Sequence, residues 1–146
     1  MSAEDTFTSS FAFQVGKLGQ FATDRFAERV APLGLRPRHC GVLGVLRAGQ
    51  PAQLDLASAL GVSNSVVVNM LDELEELGAV RRVRETEDRR RQRVELTALG
   101  RTLARKATRL AHELDRDLLA SLDDAQTATL RDAFRALAKE HGLPGG

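Results

Sequence analysis

The chain has no tryptophan, no tyrosine and a single cysteine in 146 residues. One cysteine, Cys40, cannot close an internal disulfide, and no Cys/His cluster has the spacing of a zinc site. No apolar run approaches the roughly 20 residues that a membrane-spanning helix requires. The opening segment, MSAEDTFTSS, lacks the basic and apolar regions of a signal peptide, so a cytoplasmic protein is expected. There is no glycine-rich phosphate loop and no Ser/His/Asp arrangement. Glu75–Glu76 and Asp123–Asp124 read as helix-surface acids rather than a catalytic pair. No enzyme, no cofactor and no metal are therefore expected. The formal net charge is only +1, so bulk charge does not announce a nucleic-acid partner.

What the chain does have is charge in one place. From Arg81 to Arg93 there are seven arginines against Glu85, Glu87 and Asp88. Two short alternating runs, Val80 to Arg84 and Arg93 to Thr97, flank this segment and predict a β-hairpin with a basic tip. Phosphate contacts supply much of the affinity of DNA-binding proteins, and an inserted arginine can read minor-groove width.

Helices surround the hairpin. Phe7, Phe11, Val15, Leu18, Ala22, Phe26 and Val30 recur at steps of three or four and predict a helix over 7–31, ended by Pro32 and Gly34. Pro37 opens a second helix that runs to about Ala48 through Cys40, Leu43 and Leu46. A short third spans about 53–60 and stops at Gly61. Ser63 caps a fourth over 64–77, with Val67, Leu71, Leu74 and Leu77 on one face and Gly78 at its end. The helix–Gly-Val-Ser–helix junction has helix-turn-helix spacing, in which the second helix reads the groove. After the hairpin, Thr97 caps a long fifth helix carrying Leu99, Leu103, Ala107, Leu110, Leu114 and Leu118. Asp123 with Gln126 opens a sixth, carrying Leu130, Phe134 and Leu137.

The expected fold is mostly α, a winged helix-turn-helix core with helices from both chain ends forming a dimerisation region. Residues 1–34 are read as an N-terminal dimerisation helix, 35–100 as the DNA-binding region and 101–146 as C-terminal dimerisation helices, within one compact domain. The small core cannot cover the apolar stripes of the first, fifth and sixth helices. A second copy related by a two-fold axis would hide them.

GVSNSVVVNMLDELEELGAVRRV followed by EDRRRQRVELTALG resembles the MarR family of bacterial transcriptional regulators. The wing signature of that family is matched by Asp88, Arg90, Leu96, Thr97 and Gly100 at full spacing. Leu56-Ala57, Leu60-Gly61-Val62-Ser63, Ser65, Leu74-Glu75 and Leu77-Gly78 also match. The resemblance implies a homodimer on a pseudo-palindromic operator, with the fourth helix in the major groove. It implies that Arg90, held by Asp88, enters the minor groove. It also implies that a small molecule or oxidant at the junction of dimer and DNA-binding regions alters the spacing of the two reading heads, so that a repressor is released.

The fourth helix departs from the family pattern. It holds no Lys or Arg between Ser63 and Gly78, and Asp72, Glu73, Glu75 and Glu76 fill its second half. Relatives often carry Arg where Asn69 and Glu73 stand. Base contacts therefore fall to Ser63, Asn64, Ser65 and Asn69, and specificity is expected to lean on groove shape. Arg89 and Arg91 are expected on phosphate, with Arg81, Arg82 or Arg84 joining from the strand. Arg36, Arg38 and His39 open the second helix at the expected effector pocket, opposite Phe11, Gln14 and Leu18, where an anionic aromatic effector would suit the cations. Cys40 reads as a small buried hydrophobe rather than an oxidant sensor, and His112 and His141 as solvated. The rival reading is a winged-helix assembly module whose wing binds an acidic partner or non-specific DNA.

Overall fold

The computed structural model describes residues 6–49, 53–84 and 92–145, with the backbone alone at 53–55. Among these residues six α-helices and one two-stranded antiparallel sheet follow in the order α1 (Phe11–Val30), α2 (Pro37–Ala48), α3 (Gln53–Leu60), α4 (Asn64–Glu76), β1 (Val80–Arg84), β2 (Gln92–Leu96), α5 (Ala98–Leu118) and α6 (Asp124–Glu140). This is the mostly helical winged helix-turn-helix expected from the sequence.

Local chemistry sets the boundaries. The first helix starts at Phe11, not at residue 7, because the Ser10 hydroxyl accepts the Phe13 N–H and caps it there. Phe7–Ser9 form a separate 3-10 turn. Gly61 and Gly78 adopt positive φ, 65° and 84°, where the chain reverses at the ends of α3 and α4. Ser63 accepts the Val66 N–H at the start of α4, and Asp123 and Gln126 form the expected reciprocal cap on α6. The second strand runs 92–96 rather than 93–97. Thr97 is withdrawn from it, since its hydroxyl accepts the Gly100 N–H as the cap of α5 and donates to the Gly78 carbonyl at 2.6 Å. That one side chain ties the end of α4 to the start of α5.

The core sits where α2, α4, the hairpin and α5 meet. Leu43, Leu56, Leu71 and Leu74 are its largest fully buried side chains, each worth about 1.5–3 kcal/mol of burial. Met70 joins Val67, Leu71 and Leu74 on the buried face of α4, whereas Leu77 is exposed. Val80, Val94 and Leu96 line the inner face of the hairpin, whose register pairs Val80 with Leu96 and Arg84 with Gln92. On α5, Leu103, Ala104, Ala107 and Leu114 are buried, while Leu99 stays outside.

The two ends of the chain are covered less well. Of α1 only Val30 is buried, and Phe11, Leu18 and Phe21 are exposed. No residue of α6 is buried, and Phe134 and Leu137 stand open to solvent. Polar links hold these helices to α5: Arg29 of α1 pairs with Asp117, and Arg131 of α6 with Asp115 at 3.3 Å. No helix among the described residues is long and apolar enough to cross a membrane.

Candidate nucleic-acid interface

The exposed face of α4 is defined by what its other face buries. With Val67, Met70, Leu71 and Leu74 turned to the core, a 3.6-residue period turns Ser65, Asn69, Asp72 and Glu76 outward together. All four are exposed, as are Ser63 and Asn64 at the first turn. Ser63 is engaged as the cap, and its Oγ lies 3.1 Å from that of Ser65. The first turn of a groove-reading helix is where base contacts concentrate, and here it presents hydroxyls and an amide. Val66 and Val68 flank this face, half-buried.

The hairpin stem keeps most of its arginines for the protein itself. Glu95, directly opposite Arg81 in the register, accepts from Arg81 at 3.4 Å and from Arg93 at 2.8 Å. Arg82 reaches across to α4, donating to Asp72 at 2.7 Å and to the Val68 carbonyl at 3.3 Å. Arg84, at the outer end of β1, is exposed and has no ion pair among the described residues. The expected tip contacts Asp88, Arg89, Arg90 and Arg91 lie outside the described residues.

The acidic half of α4 is also partly neutralised. Asp72 is taken by Arg82. Glu73 pairs with both Arg36 and His39. His39 is buried, and its Nδ1 accepts the Arg36 backbone N–H at 2.9 Å. In the neutral ring that leaves the proton on Nε2, which faces Glu73 at 3.0 Å. The Arg36 hydrogen bond, followed by that of His39, holds the Glu73 carboxyl below the usual carboxylate range. Two of the three residues expected to receive an effector carboxylate, Arg36 and His39, thus already hold an internal one.

The six expected pocket residues are not brought together within the protomer. Arg36 and Arg38 line a crevice of about 400 Å³ with Thr23, Asn69 and Glu73, between α1, α2 and α4. Leu18 lines a different, apolar groove of about 350 Å³ with Val15, Ala22, Leu118, Leu130 and Phe134, between α1, α5 and α6. Phe11 and Gln14 stand exposed nearer the start of α1. The sequence pattern places residues on helices, and it does not say how two helices cross.

Cys40 is partly buried on α2, and burial pushes its thiol up to about 11. At neutral pH it is a protonated thiol, the weak form for oxidation. His112 and His141 are exposed. Among the described residues no group of His, Cys, Asp and Glu could hold a metal ion. Sequence reasoning missed Asp72, Glu73 and Glu95 as partners. For Glu95 a signal existed, because opposite charges facing each other across a hairpin pair.

A helix-turn-helix with an exposed polar reading face, followed by a basic hairpin, defines a winged-helix DNA-binding protein. A MarR family model matches residues 33–91. A protein of Thauera aromatica, named as a transcriptional regulatory protein for the hcr operon, is 32% identical over 126 residues, spanning 84% of this chain and 75% of that protein. The fold recurs in CouR from Rhodococcus jostii RHA1 bound to p-coumaroyl-CoA, with a TM-score of 0.80 and 24% identity over 92% of this chain and 95% of that one. It recurs in a mutant MarR from E. coli complexed with operator DNA, with a TM-score of 0.79 and 24% identity over 91% and 98% of the two chains. The chain belongs to the MarR family and is a transcriptional regulator rather than an enzyme.

Proposed function

We propose that this regulator is a homodimeric repressor that binds a pseudo-palindromic operator and is released by a small anionic or aromatic effector. One observation supports the reading: the outward face of α4 and the arginine-bearing strand β1 lie on consecutive elements joined by the turn at Gly78. Ser63, Asn64, Ser65 and Asn69 face the major groove. Arg90, oriented by Asp88, enters the minor groove, and Arg84, Arg89 and Arg91 meet phosphates, with Arg81 held back by Glu95. The uncovered faces of α1 and α6 pack against those of a second copy and set the distance between the two heads. An effector acts through its differential affinity for two such distances. The E. coli MarR complex with operator DNA and the CouR complex with p-coumaroyl-CoA support DNA and effector as partner classes within this fold. With α4 lacking arginine, groove shape contributes strongly to specificity.

The test is selection of genomic fragments by the purified protein, followed by titration of the recovered sequence against competitor DNA. An inverted repeat of roughly 16–20 base pairs is expected from two half-sites one helical turn apart. Substitutions at wing-facing A/T positions should cost more than those under α4. Equal affinity for every duplex at physiological salt would remove the reading in favour of a non-specific assembly module.

A further inference from the structure

Among the described arginines of the hairpin, Arg82 is the one whose guanidinium crosses from the sheet to the reading helix. Strand alternation puts it on the same face as buried Val80, so its stem runs inward along α4. Its side chain is only 20% exposed, against 68% for Arg81 on the opposite face. Its Nη2 holds both Asp72 and the Val68 carbonyl, and its Nε is buried with no partner among the described residues. Leaving this position to reach a phosphate would break both bonds.

The place of this contact gives it mechanical meaning. The hairpin is fastened at its base, where Thr97 bonds to Gly78 and Ala79. Further along, Val94, the register partner of Arg82, is buried in the core and holds β2. Arg82 adds a directional polar tie from β1 to α4 at that level, two residues, about 7 Å, along the strand from Val80.

We propose that Arg82 is a positioning residue rather than a phosphate contact. Together with Asp72 it fixes the angle between wing and reading helix. It thereby sets where the tip meets the minor groove once α4 is seated in the major groove. This rests on the DNA-binding reading above.

Asp72→Asn separates the alternatives, because they differ in sign. Asp72 is exposed enough for the substitution to leave the fold intact. Were Arg82 a phosphate contact, the change would free it and remove a negative charge facing DNA, and binding would tighten. As a positioning pair, the loss of charge should weaken operator binding about tenfold with the salt slope of the wild type. Arg82→Gln should weaken it similarly, and the double variant no further. Asp72→Glu should keep most of the affinity. Tighter binding by Asp72→Asn, or a slope reduced by about 0.9 per contact in Arg82→Gln, would overturn the proposal.

Hydrogen exchange on the free protein gives a readout without DNA. Asp72→Asn should speed exchange in residues 80–84 and 92–96 and leave 103–114 unchanged; unaltered hairpin exchange would equally overturn it. A wild type that discriminates among no duplexes defeats the DNA-binding reading itself, and hydrogen exchange alone then decides the role of the pair.

Discussion

Gly100 lies against the carbonyl of Ala79 so closely that a methyl group there would come within 1.9 Å of the oxygen. The same oxygen accepts the Thr97 N–H at 3.0 Å. Leu96, Thr97 and Gly100 are thus one device. Leu96 enters the core, Thr97 caps α5, and Gly100 admits the backbone of the chain entering β1.

Gly100→Ala should therefore cost about 2 kcal/mol or more, since main chain rather than a flexible side-chain end must yield. Gly44→Ala is the contrast. It sits inside α2 with nothing within 4 Å of an added methyl, and should stabilise by about 0.5–1 kcal/mol. Urea denaturation of both variants checks the pair; a neutral Gly100→Ala would refute the close approach.

At the wing, Arg90→Ala should weaken operator binding by at least about 1 kcal/mol, with the loss concentrated on A/T-rich half-sites. Arg84→Ala should instead weaken all duplexes alike and lower the salt slope by about 0.9 per contact. Titrations at several salt concentrations distinguish the two. A smaller effect of Arg90 than of Arg84 would count against insertion of the tip.

Phe134→Glu places a charge on the open face of α6, within the apolar groove that Leu18 and Leu130 share. It should convert the proposed dimer to a monomer while leaving the winged-helix core folded. Light scattering after size exclusion reads the mass and circular dichroism the fold. A mutant that keeps the mass of the wild type would place the association surface elsewhere.

The Glu73 cluster predicts a pH dependence with a definite sign. Arg36 and His39 hold the folded carboxyl below its ordinary range. Its contribution to stability is whole above that range and is lost as pH falls through the lowered value. Wild type should lose more stability than Glu73→Gln between neutral pH and the acidic limb. Parallel melting profiles for the two proteins would show that the cluster contributes nothing.

The caps of this fold were readable because they are local. Ser63, Thr97 and Asp123 each satisfy an amide three residues ahead, and a hydroxyl or carboxylate at that offset is visible in any sequence. The competition for Thr97 was not readable. It could extend a strand or cap a helix, and its bond to Gly78 decided the outcome. The pairs Arg82–Asp72 and His39–Glu73 span 10 and 34 residues, and depend on how α4 is rotated in its bed of leucines. From the sequence, the acids of α4 looked like an obstacle to DNA. In the structure two of them are counterions of the scaffold. Likewise, the sequence did not show that Leu18 and Arg38 line different grooves of the protomer.

α6 has the further property of owning no interior. Seventeen residues of helix are made without a single buried side chain, so little within the protomer rewards their order. In the two-fold assembly proposed here, completion of the fold and encounter with a twin become one equilibrium. Its thermal midpoint then climbs with concentration, and the rate at which a cell makes this regulator becomes part of how tightly it regulates.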